Sequence, residues 1–304
     1  MAAHRETREV PGAAPIEIFR RTGPLSGPTL AVFGGVHGDE PEGVFAANAI
    51  ATRDYDLKCG TLVVVPIAHP AAFEADTREA PGGGNLARVF PGNADGTAVE
   101  RTAAVLTGIL ENADVLIDLH TAGRHYDMPL LAGYVDIGGE AGAYARSMAE
   151  TFAADFVWRH PPGGRGRTLS VMAVAGKPAI YTEAPGGGTL DQHALTRFVG
   201  GVERVMAAMG LIYDPPPPTA TPLRVAGSGN MDTDVVVAPV DGFFVRRVAE
   251  GDRVEAGQSV GEVRTLAGDT HAVAAPQPGH VMYLRRTAKV LAGTALAAFA
   301  AVDP

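Results

Sequence analysis

Along the first two thirds of the chain, apolar runs rich in β-branched residues alternate with Ala-rich stretches whose apolar positions recur at helical spacing. Residues 29–34, 61–67, 115–119 and 179–182 are of the first kind and read as buried strands, whereas residues 42–52, 99–110, 140–154 and 192–209 read as helices. Strands separated by helices imply an α/β fold, with a mostly parallel or mixed sheet covered by helices on both faces. The pattern breaks at Asp214-Pro215-Pro216-Pro217-Pro218-Thr219-Ala220-Thr221-Pro222, because consecutive prolines donate no backbone hydrogen bonds and favour an extended, stiff chain. Beyond it no long helical period occurs. Residues 235–238, 243–248, 259–264 and 280–284 read as short strands separated by Gly and Asp turns. The expected organisation is therefore a catalytic domain over residues 1–213, a Pro-rich linker over 214–222, and a small C-terminal all-β domain over 223–304.

Composition narrows the class. With 304 residues, 46% hydrophobic and 19% charged, the chain can bury a sizeable core and is not disordered. Its 38 glycines and 23 prolines follow no period, which excludes collagen and points to many tight turns. A formal charge of −9 without any Lys/Arg stripe argues against nucleic acid as a partner. The single cysteine, Cys59, cannot form an intrachain disulfide. Arg5, Glu6, Arg8 and Glu9 stand where a signal peptide would need an apolar stretch. No run approaches the roughly 20 apolar residues of a membrane-spanning helix. A cytoplasmic protein without a membrane partner is expected; the sequence leaves open whether it is a homo-oligomer.

Three of the expected strands run into residues that bind metals or move protons. Residues 30–33 lead into Gly34-Gly35-Val36-His37-Gly38-Asp39-Glu40, residues 115–119 into His120, and residues 180–182 into Glu183. In open α/β sheets, ligands sit at the carboxyl ends of the strands, so these side chains can converge in one crevice. His37 and Glu40, three apart in a Gly-rich turn, with His120 as third ligand, make a two-His, one-carboxylate set. Such a set leaves one tetrahedral position of a zinc ion open for water. By itself a His-x-x-Glu pair is a weak signal, more often a solvated loop or an ordinary capped turn than a metal site. Glu183, followed by Pro185-Gly186-Gly187-Gly188, is the best placed carboxylate to act as base. Arg88, in Asn85-Leu86-Ala87-Arg88-Val89-Phe90-Pro91-Gly92, offers a bidentate fork for a substrate carboxylate. Arg167, in a Gly-rich segment, is a second candidate for closing over an anionic substrate.

Taken in order, His37-Gly38-Asp39-Glu40 after Gly34-Gly35, the run at 85–92, Asp118-Leu119-His120-Thr121 and Thr182-Glu183-Ala184-Pro185-Gly186 resemble the succinylglutamate desuccinylase/aspartoacylase family of the zinc carboxypeptidase superfamily. The resemblance implies one zinc per chain on His37, Glu40 and His120, Glu183 as general base and proton shuttle, and Arg88 as a substrate or transition-state contact. The chain departs from the family at Ala87, where an Asn usually precedes the Arg; Asn85 is expected to orient His37 or to supply the missing polar contact. Residues 240–244, 251–258 and 275–281 resemble biotinyl and lipoyl carrier domains. The hairpin turn Leu266-Ala267-Gly268-Asp269-Thr270 carries no lysine, so the domain is expected to be a structural cap rather than a carrier.

The function expected is hydrolysis of the amide bond of a small N-acylated amino acid or related amine by metal-activated water. A metallocarboxypeptidase acting on a peptide C-terminus is the alternative within the class, and a non-catalytic carrier or interaction module the alternative outside it. The weakened clamp at Ala87 counts against the first, the missing hairpin lysine and the complete ligand set against the second.

Overall fold

The computed structural model describes residues 4–230 and 232–303. In chain order its first part comprises β1 (His4–Arg8), β2 (Ile16–Thr22), β3 (Leu25–Gly34), α1 (Pro41–Thr52), β4 (Cys59–Val65), α2 (Pro70–Ala75), α3 (Ala98–Glu111), β5 (Val115–Leu119), β6 (Tyr126–Asp127), β7 (Leu131–Val135), α4 (Gly139–Phe152), β8 (Phe156–His160), α5 (Thr168–Val174), β9 (Ala179–Glu183) and α6 (Gln192–Ala208). After the proline run come β10 (Leu223–Ala226), β11 (Val236–Val237), β12 (Gly242–Arg246), β13 (Arg253–Val254), β14 (Ser259–Arg264), β15 (Thr270–Ala274), β16 (Gly279–Arg285), β17 (Lys289–Val290) and β18 (Ala295–Val302).

The strands β3, β5 and β9 lie side by side and parallel, and their side chains alternate between two apolar layers, as a period of two requires. Leu30, Val32, Ile117 and Ile180 pack with Ile50, Phe152, Phe198 and Val202 of α1, α4 and α6. Ala31, Phe33 and Leu116 face the other way, toward Leu106, Leu110 and Met172 of α3 and α5. Burial on both faces explains why these strands read as continuous apolar runs. Local signals start the helices: Thr97 and Glu100 form a reciprocal capping box on α3, and the Asp191 side chain caps α6 by accepting from the Ala194 N–H at 2.7 Å.

The sheet is mixed. Its order is β1-β2-β4-β3-β5-β9-β7-β8-β10-β18-β16-β13, with β7 inserted antiparallel to β9 and parallel to β8. Strand β10 lies beyond the prolines, yet it extends this sheet by pairing parallel to β8 and antiparallel to β18. Trp158, Val225, Met282 and Ala300 share a small apolar cluster at the junction. The proline run is itself anchored, with the Arg204 guanidinium donating to the carbonyls of Phe152 (2.6 Å) and Pro217 (3.2 Å). The C-terminal strands enclose their own core around Val254, Val260, Val263, Val281 and Leu296. A second sheet, β15-β14-β12-β17, completes this part. Tyr126 and Asp127, in the loop after His120, form β6 and pair with β16. The buried Asp127 carboxylate there accepts from Arg246 (2.6 Å) and Arg286 (2.7 Å).

Candidate active site

The carboxyl ends of β3, β5 and β9 open together on the α3/α5 side of the sheet. After β3 the chain turns at Gly35 (φ 64°), a backbone conformation costly for any residue with a Cβ. Gly38 passes against α2 so closely that a Cβ would lie 2.0 Å from the Ala72 carbonyl. This tight path delivers His37 and Glu40 to the same place. Pro41 then begins α1, as suits a first helical residue.

His37, Glu40 and His120 meet there, all three buried, with one potential ligand atom from each within 4.8 Å of the others. Nδ1 of His37 lies 2.7 Å from one Glu40 oxygen and Nδ1 of His120 lies 2.8 Å from the other. Each imidazole is held from behind. Nε2 of His37 faces Asn85 Oδ1 at 3.2 Å, while Nε2 of His120 faces Asp118 Oδ2 at 3.2 Å. Asp118 also accepts from the Thr168 hydroxyl. Each of these outer oxygens can accept from Nε2–H, which makes Nδ1 the atom left to ligate a cation; with no cation between them, an Nδ1 proton bridges the ring to Glu40. Burial raises the proton affinity of Glu40, but the two facing imidazoles outweigh it and hold the carboxyl well below its usual range. A donor set of two oriented imidazoles and a carboxylate that stays ionised fits a divalent ion of the zinc type. The Arg78 guanidinium donates to the same carboxylate at 3.3 Å.

A cavity of about 290 Å³ adjoins this group and is lined by His37, His120, Glu183, Arg88 and Arg167, among others. Its floor follows from strand register. Across β5, β9, β7 and β8, Asp118 pairs with Tyr181, Tyr181 with Gly133, and Gly133 with Trp158, so these four side-chain positions form one row. Two residues along β9, on the same face, comes Glu183, whose Oε2 is buried and makes no hydrogen bond among the described residues. Burial, and next the Glu40 carboxylate, push Glu183 well above the ordinary carboxylate range.

The Asn85 Oδ1 that faces His37 also caps the short turn Leu86–Arg88 by accepting from the Ala87 N–H at 2.9 Å. Phe90 N–H donates to Gly166 O at 3.2 Å, and this contact brings Arg88 and Arg167 to the same wall of the cavity. Arg88 is engaged by Asp232, Nε to Oδ2 at 3.0 Å and Nη2 to Oδ1 at 3.2 Å. Arg167 makes no ion pair among the described residues.

Several contributors have no motif in the sequence. His160 is buried in the cavity wall, its Nε2 2.8 Å from Tyr181 Oη and its Nδ1 3.0 Å from the Gly227 carbonyl. Because that carbonyl can only accept, Nδ1 carries the proton and Nε2 accepts from the Tyr181 hydroxyl, whose lone pairs are left for the cavity. Burial lowers the His160 pKa to about 4 and raises that of Tyr181. Ser228, Gly229 and Asn230 line the rim from beyond the proline run. His125 and Tyr126 serve the junction instead: Tyr126 stacks on Tyr283 with ring centroids 4.0 Å apart, and the His125 carbonyl accepts from Arg286 N at 2.8 Å. His69 is a buried packing residue beside His37, its pKa lowered to about 4 by burial and by that neighbour.

A mixed sheet sandwiched by helices, a crevice at its carboxyl edge and a small appended β domain define the zinc carboxypeptidase-like deacylase fold. Residues 26–209 match the family described as succinylglutamate desuccinylase/aspartoacylase catalytic domain, and the chain belongs to that family. Residues 230–291 match a second family, described as an uncharacterized protein conserved in archaea. The chain is 30% identical over 261 residues to an N-alpha-acetyl-L-2,4-diaminobutyric acid deacetylase of Halomonas elongata, covering 82% of this chain and 73% of the relative. Among solved structures, a succinylglutamate desuccinylase/aspartoacylase of Rhodobacter sphaeroides has a TM-score of 0.90 at 25% identity, covering 99% of this chain and 94% of that one. The product-bound ectoine utilization protein EutE (DoeB) of Ruegeria pomeroyi has a TM-score of 0.87 at 25% identity, with 95% and 89% covered. Among the described residues no helix is long and apolar enough to cross a membrane.

Proposed function

We propose that this chain hydrolyses the amide bond of a small N-acylated amino acid, with one zinc ion held by His37, Glu40 and His120. The observation that carries the reading is the buried convergence of these three donors beside a cavity that also contains Glu183 and the two guanidinium groups of Arg88 and Arg167. Bound zinc supplies acidity to a water molecule and polarises a carbonyl. Asn85 and Asp118 fix the two imidazoles in their ligating tautomer. Glu183 takes the proton of the attacking water at its unpartnered Oε2 and returns it to the departing nitrogen. A nearby cation moderates the high proton affinity that burial gives this carboxyl, so that it can both accept and release the proton near neutral pH. Arg88 and Arg167 hold the carboxylate of the substrate. At about 290 Å³ the cavity suits a small molecule better than a peptide chain.

The test is metal analysis together with a panel of N-acetyl, N-succinyl and N-formyl amino acids assayed on metal-replete protein. About one zinc per chain, lost in His37→Ala and in His120→Ala, is expected, along with release of one acyl group in preference to the others. Full metal content in both variants would remove the ligand assignment.

A further inference from the structure

Each imidazole of the metal group leans on a side chain that is itself pinned. Behind His37, Asn85 Oδ1 also takes the Ala87 N–H at 2.9 Å. Behind His120 the pin is a hydroxyl. Asp118 Oδ2 lies 3.2 Å from Nε2 of His120 and accepts from Thr168, while Oδ1 is buried without a hydrogen bond among the described residues. The last torsion of an aspartate side chain is broad, so the rotamer alone does not set the plane of this carboxylate. Thr168 supplies what is missing. Its β-branched side chain has few χ1 choices, and its backbone is fixed at the start of α5, where Ser170 Oγ accepts from the Arg167 N–H at 3.0 Å and donates to the Arg167 carbonyl at 2.6 Å. Leu169 and Met172 seat the same helix in the core that holds Phe33 and Leu116. Thr168 and Asp118 are both buried, and Arg167, the residue before Thr168, lines the cavity. One turn of chain thus brings a guanidinium to the cavity and a hydroxyl to the support of His120.

We propose that Thr168 is a positioning residue of the metal site: its hydroxyl fixes the plane of the Asp118 carboxylate, which in turn holds the His120 imidazole with Nδ1 toward the cation. The proposal rests on the zinc reading above. Without the hydroxyl, the carboxylate keeps one contact instead of two, and a turn about its last torsion withdraws Oδ2 from Nε2. The ring then loses part of its set orientation, and the donor group has to be ordered when the ion arrives, which weakens binding. A hydroxyl that only satisfied a buried carboxylate would be felt equally with and without the ion. Its loss would lower stability and leave metal affinity intact.

Two measurements test this. The first is the zinc dissociation constant of the metal-free protein, read by competition with a chromophoric chelator, in the wild type, Thr168→Val, Thr168→Ser, Asp118→Ala and the double variant Asp118→Ala/Thr168→Val. Thermal unfolding of the metal-free forms establishes that each is folded, and Thr168→Ala takes the place of the valine should that variant not fold. Thr168→Val is expected to weaken zinc binding about tenfold, the lower end of the range for groups that support a metal ligand from behind. Thr168→Ser should recover most of that loss, and Thr168→Val should add less than about twofold to the effect of Asp118→Ala, because the hydroxyl acts through that carboxylate. Wild-type affinity in Thr168→Val, no recovery in the serine variant, or full additivity with Asp118→Ala would overturn the proposal. The second is a crystal structure of metal-free Thr168→Val, in which Asp118 is expected to turn from Nε2 of His120 or to divide between two orientations; a single wild-type orientation rejects the proposal. If the wild type binds no zinc, the metal reading fails, and that crystal structure alone decides whether Thr168 positions Asp118 against His120.

Discussion

At Glu183 the decisive property is an acceptor atom, Oε2, that is buried and free of hydrogen bonds among the described residues. Glu183→Gln keeps the volume and removes the basicity. It is expected to retain fold and metal while turnover drops by about a hundredfold to ten-thousandfold, read by steady-state kinetics beside metal analysis; wild-type turnover would move the base elsewhere. His160 makes a different prediction, about pH. Its folded pKa is lowered from 6.5 to about 4, so the unfolded chain takes up a proton between these values while the folded chain does not. Its contribution to stability is complete above pH 6.5 and is lost as pH falls toward 4, by up to about 3 kcal/mol. His160→Gln, which can still donate to Gly227 and accept from Tyr181, should narrow its stability deficit against wild type between pH 7.5 and 4.5, measured by urea unfolding. A deficit constant with pH would show that His160 does not titrate as its burial implies.

Among the elements, β7 decides the shape of the cavity floor. It enters antiparallel to β9, and Gly133 leaves the space that the Tyr181 ring occupies, since a Cβ there would lie 2.0 Å from the ring. Gly133→Ala is expected to push Tyr181 from His160 and to destabilise by about 1–3 kcal/mol, the usual cost of overpacking, measured by urea unfolding. A change below a few tenths of a kcal/mol would mean the ring has room to retreat. This strand also marks where the sequence stops being readable. Strands β3, β5 and β9 are legible because both faces are buried, and the residues that follow or end them, His37, Glu40, His120 and Glu183, come with recognisable motifs. Strand β7, Leu131-Ala132-Gly133-Tyr134-Val135, carries an Ala and a Gly where β-branched residues would announce it. Strand β8, Phe156-Val157-Trp158-Arg159-His160, brings Trp158 and His160 to the cavity, but the partners of His160, Tyr181 and the Gly227 carbonyl, lie 21 and 67 residues away and meet it only in the fold. Asp232 is hidden for the same reason, since its partner Arg88 lies 144 residues away, whereas Asp118 stands two residues before His120 within a quoted motif and only its contact with that imidazole comes from the fold.

For the molecule as a whole, the C-terminal segment is bound to the catalytic sheet by backbone pairing rather than by a flexible tether. Strand β10 closes the edge left by β8, β18 closes β10, and Arg159 holds Asp303 with two hydrogen bonds of 2.9 and 2.7 Å. The proposed division into residues 1–213, 214–222 and 223–304 therefore describes sequence segments whose sheets are joined. Ending the chain after residue 214 should uncover the β8 edge and the Trp158 cluster and remove the part of the cavity rim made by Ser228, Gly229 and Asn230. The expected result is a lower melting temperature and association into larger species, read by thermal unfolding and size-exclusion chromatography. An unchanged melting temperature and size would show that the segment contributes nothing to the sheet.

The path of β10 also has a consequence for how the protein is made. Residues 223–226 can add to β8 soon after they emerge from the ribosome, but their other edge stays unpaired until residues 295–302 follow. At about 5–20 residues per second that interval is on the order of ten seconds. During it the nascent chain presents an open strand next to an apolar cluster, the kind of surface that chaperones hold and that neighbouring chains can capture. Slow or stalled translation within residues 227–294 should therefore lower the yield of folded protein more than the same delay placed in residues 1–213.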